Sequence, residues 1–181
     1  ENVVDKYRYN IGFYADFEAS ITDQFLLGLA GRFEEYSDFG ANLSWKLSGR
    51  YKLNNKLTLR STYNTGFRAP SMPQIYFSSK SFQFIPIEES LVGVQIAHVN
   101  NESNIAKQFG IEPLKAELSS NLSIGVYTKI NKKLSLSIDA YQINIKDRIV
   151  LSGRFSAEDD TRFAEILDPL QVSRAQFFTN A

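Results

Sequence analysis

The side chains of this 181-residue chain that could do chemistry are few and scattered. His98 is the single histidine. A serine-type nucleophile needs a histidine held between a hydroxyl and an orienting Asp or Asn. No spacing around His98 announces such partners, and it reads as a loop residue. Glu88-Glu89 and Asp159-Asp160 are adjacent carboxylates, the type from which acid–base pairs or calcium sites are built. In loops, neighbouring carboxylates are more simply solvated charge. The segment IYFSSKSFQF (75–84) offers the rings of Tyr76, Phe77, Phe82 and Phe84. These can stack on a sugar, a chelate or a cofactor ring, or pack the loop onto its neighbours. With no cysteine there is no disulfide and no thiolate metal site. The residues nominate no catalytic group, no metal site and no cofactor, so the chain does not read as an enzyme.

Lys and Arg total 20 against 20 Asp and Glu, so the basic excess expected of a nucleic-acid binder is absent. No run of about 18 apolar residues exists, which excludes a membrane-spanning helix. The chain opens Glu1-Asn2-Val3-Val4-Asp5, without a signal peptide, and reads as an interior cut or a processed end. Aromatic residues stand out: 14 Phe, 9 Tyr and 1 Trp make 13% of the chain. These totals fit a soluble β domain. They fit a membrane β-barrel equally, because half of each barrel strand faces water.

Alternation decides where the elements lie. YRYNIGFYADFEASI (7–21) places Tyr7, Tyr9, Ile11, Phe13, Ala15, Phe17, Ala19 and Ile21 on one face and mostly polar residues on the other. Further strands are expected near 25–33, 41–53, 57–67, 117–130, 134–150 and 175–181. In the sixth, the apolar phase slips from even to odd near Asp139-Ala140, and a β-bulge is the expected cause. The connections at 22–24, 54–56 and 131–133 are tight. Those near 34–40, 68–116 and 151–174 are longer, so short and long alternate. Outer-membrane barrels show that asymmetry, with short periplasmic turns and long extracellular loops. Tyr7, Tyr9, Phe25, Tyr51, Tyr63 and Phe67 fall near strand ends on the apolar phase. That suits aromatic girdles at two membrane interfaces, or ordinary core packing. Within the long loops, 100–113 predicts a short capped helix stopped at Gly110, and 158–170 an amphipathic helical turn or two.

A resemblance enters at KLTLRSTYNTGFRAPSMPQIY (56–76). This stretch is similar to the strand-to-loop signature of TonB-dependent outer-membrane receptors, most closely through Thr65-Gly66-Phe67-Arg68-Ala69-Pro70-Ser71. After a long loop, Leu114-Lys115-Ala116-Glu117-Leu118-Ser119 resembles the family stretch that opens the next strand, with Ala116 where proline is commoner. LSLSIDAYQINIKDRIVLSG and AQFFTNA resemble the strands after that, and the loop text looks most like the Bacteroidetes branch.

The resemblance implies an all-β, antiparallel up-and-down transmembrane barrel segment. It implies residence in the bacterial outer membrane and active uptake of a scarce large solute such as a siderophore–iron complex, a cobalamin or an oligosaccharide. Implied partners are the lipid bilayer, the remaining barrel, a plug domain and, through the plug, the TonB complex. Family barrels have about 22 strands, on the order of 570 residues at this spacing, so residues 1–181 are expected to be a fragment without the plug. It also ends in mid-strand, without a terminal aromatic. Such an open piece would be unstable in water and prone to edge pairing.

In the corner itself, Gly66 is expected to let the backbone bend, with Pro70 ending the ladder and Pro73 repeating the stop. Phe67 should face lipid at the interface. Arg68 should face the lumen, to meet plug or wall carboxylates or to stand solvated at the rim. Two alternatives stay open. A soluble β-sandwich or small β-barrel ligand-binding module would bury Leu43, Trp45 and Leu47. A complete small barrel needs an even strand number and a terminal aromatic.

Overall fold

Alternating residues become long antiparallel strands in the computed structural model, which describes residues 5–87 and 90–181. Four strands come first: β1 (Asn10–Ser20), β2 (Phe25–Tyr36), β3 (Gly40–Lys52) and β4 (Leu57–Arg68). A helical turn α1 (Met72–Tyr76), a hairpin of β5 (Ser79–Ile87) and β6 (Ser90–His98), and α2 (Asn104–Gln108) follow. Then come β7 (Glu117–Lys129), β8 (Ser135–Lys146), β9 (Ile149–Leu151) and β10 (Phe155–Ser156). The chain closes with α3 (Arg162–Leu167), a 3-10 turn at Asp168–Leu170, β11 (Arg174–Gln176) and β12 (Phe178–Asn180). Two units divide these elements. A sheet unit comprises Tyr7–Arg68 and Glu117–Lys146, and a loop unit comprises Asp5, Lys6, Ala69–Ala116 and Asp147–Ala181.

The sheet unit is one six-stranded sheet in the order β1-β2-β3-β4-β7-β8, every neighbour antiparallel. Its tight turns share one device, a side-chain oxygen that accepts from the backbone two and three residues on. Thr22 Oγ1 accepts from the amides of Gln24 and Phe25 at 3.3 and 3.0 Å. Asn54 Oδ1 accepts from Lys56 and Leu57, and Asn131 Oδ1 from Lys133 and Leu134, each at 2.8 and 3.0 Å.

Two expectations fail in this sheet. The second connection is not a loop over 34–40. Glu34 and Glu35 pair with Asn42 and Ala41, leaving a turn at 37–39 closed by Gly40, whose φ of +83° suits glycine. Strict alternation of short and long connections therefore does not hold. Nor is there a bulge at Asp139-Ala140, because β7 and β8 stay in unbroken register from Leu118↔Lys146 to Lys129↔Ser135. The phase slip is a change of side-chain chemistry along a regular strand.

Register sorts the side chains into two faces. One carries Phe13, Phe17, Leu29, Leu43, Leu47 and Ile124; the other carries Asp16, Arg32, Lys46, Arg60, Asn64 and Asp139. The apolar face is bare: Phe13 is 71% exposed, Phe17 69%, Leu43 69% and Ile138 63%. Trp45 and Leu47 are exposed as well, which contradicts the soluble module that required them inside. At the turn end Phe25 lies 6.4 Å from Tyr51, and at the other end Phe67 lies 6.0 Å from Tyr36.

The loop unit is built oppositely, around a core. Phe177, Leu167, Ala106, Ala175, Ala97 and Val99 are buried together, with Phe109 ringed by Phe155, Phe163 and Phe177 at 4.7–5.5 Å. A four-stranded sheet, β10-β11-β6-β5, has β11 parallel to β6, and β9 pairs with β12. Residues 68–116 are thus not simply a loop, since they hold a complete hairpin. The expected strand 134–150 breaks at Asp147, in the left-handed region at φ 53°, and 175–181 divides at buried Phe177 into β11 and β12. Ser103 caps α2, and Gly110, at φ +74°, follows its end. Phe163, Ile166 and Leu170 pack on the core around buried Leu167.

Candidate functional site

Three places hold the residues that chemistry singles out: the corner after β4, the polar face of the sheet, and the exposed hairpin of the loop unit. At the corner, Gly66 does not bend the chain. It stays in the ladder opposite Ser119, where a Cβ would stand 3.0 Å from the Ser119 hydroxyl. Its missing side chain makes room across the strands. Arg68, the last residue of β4, pairs in register with Glu117, the first of β7. Arg68 Nε donates to Glu117 Oε2 at 2.8 Å, and a second bond runs from Nη2 to Oε1. Glu117 is buried, so this fork satisfies a carboxylate largely withdrawn from water. Phe67 is half-buried against Tyr36.

The next residues open a helix. Ala69 is half-buried and Pro70 is fully buried. Ser71 caps α1, and Gln74 reciprocates by accepting from the Ser71 amide at 2.9 Å. Pro73 does not repeat a stop; it occupies the first helical turn, where the missing N–H costs nothing. Two asparagines then fasten the loop unit. Buried Asn101 accepts from Leu114 N–H at 3.0 Å and donates to the Phe178 carbonyl at 2.8 Å. Asn180 accepts from Lys115 N–H at 2.8 Å and donates to the Asp147 carbonyl at 2.6 Å. Sequence reasoning missed Asn101 and Asn180. An asparagine in a loop carries no spacing signal for a contact across the chain.

On the polar face, two ion pairs each stride over one strand. Arg60 on β4 reaches Asp139 on β8 at 2.7 Å, and both face Gly125 of β7. A Cβ on Gly125 would fall 2.1 Å from Asp139 Oδ1 and 2.7 Å from Arg60 Nε, so the bridge exists because that residue is glycine. Lys46 of β3 lies 3.8 Å from Asp16 of β1, with Ala30 of β2 between them. Buried Glu34 accepts from Arg32 at 2.7 Å and Asn10 at 3.2 Å. Beside Glu34 and Lys46 runs an open trough of about 760 Å³ lined by Asn10, Tyr14, Arg32, Glu34, Lys46 and Asn64. In it Arg32 and Glu34 pair within β2, and Lys46 reaches over β2 to Asp16. Such a wall suits contact with water or another polar surface.

In the aromatic segment the rings do not act together. Phe82 and Phe84 stand T-shaped at 5.3 Å on the hairpin, 61% and 67% exposed, with Phe82 lying over Gly93. Tyr76 is half-buried under the Lys6 ammonium at 5.7 Å. Phe77 packs on His98 at 5.7 Å, and Phe178 covers the same ring at 4.9 Å. His98 therefore ends β6 rather than lying in a loop. Its Nε2 is buried without a partner among the described residues, and burial holds its pKa below the ordinary value.

Glu88-Glu89 lies outside the described residues. Asp159 and Asp160 do not converge: Asp159 accepts from the Ser156 amide and hydroxyl, and Asp160 pairs with Arg162 at 2.5 Å. That guanidinium holds the Asp160 carboxyl below the usual carboxylate range. Among the described residues no cluster of His, Cys, Asp and Glu could hold a metal.

With this geometry established, the relatives can be placed. Residues 2–180 match the family described as TonB dependent receptor-like, beta-barrel. The chain is similar to the iron-regulated outer membrane virulence protein of Vibrio cholerae serotype O1, strain El Tor Inaba N16961. Identity is 26% over 138 residues, which is 76% of this chain and 18% of that protein. Among solved structures it resembles the siderophore receptor PirA from Pseudomonas aeruginosa, with TM-score 0.70 and 19% identity, covering 96% of this chain and 29% of that one. It also resembles a mutant of the ferric enterobactin receptor PfeA from the same organism, in complex with enterobactin, with TM-score 0.68 and 14% identity, covering 96% and 22%. The structural likenesses speak for the fold. The chain spans less than a third of each of these relatives.

Proposed function

Since this chain belongs to the TonB-dependent receptor β-barrel family, we propose that it forms wall and outer rim of a bacterial outer-membrane receptor for active uptake of a scarce, large solute. A siderophore–iron complex is the class that the relatives' names favour, ahead of a cobalamin or an oligosaccharide. One observation carries the reading: a six-stranded sheet with one bare apolar face and one polar face crossed by ion pairs. Lipid supplies the missing contacts on the first face, and a polar lumen occupied by a plug domain of the same protein suits the second.

The family is one of receptors, and this segment acts by holding and passing a solute rather than by converting it. Gly66, Phe67, Arg68, Ala69, Pro70 and Ser71 are structural in this reading, since they end a strand, cap a helix and anchor β7 through Glu117. Phe82 and Phe84 are the rings available to a ligand, while Tyr76 and Phe77 mainly pack the unit. Coupling to TonB belongs to the plug.

Growth under iron limitation tests the proposal. Cells lacking the parent protein should lose uptake of one iron chelate, and the Phe82→Ala/Phe84→Ala variant should weaken binding of that chelate about thirtyfold or more, at about 1–3 kcal/mol per stacked ring. Unaltered uptake of every iron chelate in the deletion strain removes iron from the proposal.

A further inference from the structure

The turn end of the sheet carries a charge pattern that the fold does not require. Two turns read Leu53-Asn-Asn-Lys-Leu57 and Ile130-Asn-Lys-Lys-Leu134. In each, the first apolar residue donates its N–H to the carbonyl of the last, at 3.0 Å. The remaining turn, Ile21-Thr-Asp-Gln-Phe25, closes with the same bond at 2.9 Å yet has Asp23 and no lysine. Lysine is therefore not demanded by the turn geometry.

The two lysine turns are neighbours. The amide of Lys129 donates to the carbonyl of Lys56 at 2.8 Å, which places Lys56 and Lys129 side by side, with Lys132 and Lys133 one turn beyond. All four are exposed and line one open cavity of about 780 Å³ that contains no carboxylate. None makes an ion pair among the described residues. Exposed Leu53, Ile130 and Leu134 flank the same turns. Apolar residues beside ammonium groups on long stems are the arrangement of a membrane interface, where stems lie along hydrocarbon and charges reach the headgroups.

We propose that Lys56, Lys129, Lys132 and Lys133 form a seat for the phosphate of an anionic phospholipid in the leaflet at the tight-turn end of the barrel. The inference rests on the membrane reading above and adds a lipid contact to it. The like charges repel unless an anion sits among them, and a headgroup phosphate supplies that anion where the apolar flanks already meet acyl chains. The first turn, with Asp23, makes no such seat, so lipid is held on one arc of the rim.

The test uses the full-length receptor in nanodiscs of phosphatidylethanolamine with or without phosphatidylglycerol, counting retained lipids by native mass spectrometry. The expected result is preferential retention of phosphatidylglycerol. Lys132→Gln/Lys133→Gln should weaken it by about twenty-five-fold, at about fivefold for each lysine near an anionic surface. Lys132→Arg/Lys133→Arg should retain it, and millimolar inorganic phosphate should not displace it. Heat-modifiable mobility on gels shows that each variant is folded. The proposal is overturned by equal retention in the glutamine variant, by loss in the arginine variant, by release with free phosphate, or by an acidic polypeptide co-purifying on these lysines in place of lipid. A parent protein absent from the membrane fraction would instead fail the barrel reading itself.

Discussion

The sheet unit and the loop unit solve the same problem in opposite ways. In the loop unit, Phe177, Leu167, Ala106 and Ala175 are 0–2% exposed and find their partners within the chain. In the sheet unit the large apolar side chains point outward from a single layer, and its buried residues include the carboxylate of Glu34. A single sheet cannot shelter its own apolar face, so the surroundings must. The apolar side chains of the sheet unit therefore need partners from outside the chain and those of the loop unit do not, so the two parts can be perturbed separately.

The largest effect should come from hollowing out the loop unit. Phe177→Ala removes a fully buried ring that touches Phe109 and Phe155 and should cost about 3–5 kcal/mol, read from hydrogen exchange of β6 and β11. The matching Phe17→Ala on the exposed face should leave that protection unchanged. If both variants behave alike, the contrast between the units is wrong. Next, Leu47→Arg in mid-sheet should destabilise the lipid-inserted protein by about 2–4 kcal/mol, while Ser48→Arg on the polar face should be tolerated. The folded fraction after reconstitution, judged by heat-modifiable mobility, separates the two.

Asn101→Ala leaves the Leu114 amide and the Phe178 carbonyl without partners and should cost about 1–3 kcal/mol, measurable by denaturant titration followed through loop-unit exchange. His98 should set a modest pH dependence. Its buried ring binds a proton less readily than the unfolded chain does, so the stabilisation is complete above about pH 6.5 and is lost as pH falls below that value. His98→Phe should flatten that dependence, and an unchanged acid slope in the variant would assign it to another group. Arg68→Ala withdraws the fork from the buried Glu117 carboxylate, should cost about 1–3 kcal/mol, and should show as fraying at the β4–β7 end.

How legible all this was depends on whether a residue's partner is local. Six strands follow from period-two alternation, because the pleat alone places Phe13 and Phe17 on one side and Asp16 on the other. Turn chemistry was equally local, with Asn54 and Asn131 bonding two and three residues ahead. The turn at 37–39 was misread because Glu34 and Glu35 look like loop residues, yet they remain on the ladder and Glu34 is held by Arg32 and Asn10. The hairpin β5–β6 was hidden by Pro86 and Gly93, which weaken strand appearance while leaving the register Ile85↔Val92 intact. A bulge was inferred at Asp139-Ala140 because an environment switch along a strand mimics a register shift. At the site, Arg68 was visible but Glu117 as its partner was not, and no spacing reveals that Arg60 and Asp139 meet over Gly125.

The loop unit is assembled from two stretches separated in sequence by β7 and β8, and that fixes an order of events. Parallel pairing of Ile96 with Arg174 and of His98 with Gln176 requires both stretches to be present on the same side. The hydrophobic cluster around Phe109 and Phe177 cannot close until both stretches are present. Sheet hairpins with tight turns can form early, from neighbours alone, whereas the cluster of the loop unit must wait for stretches far apart in sequence. Closure of the loop unit thus reports that its two stretches have met, so a protease-resistant loop unit would serve as a clock for assembly of the chain.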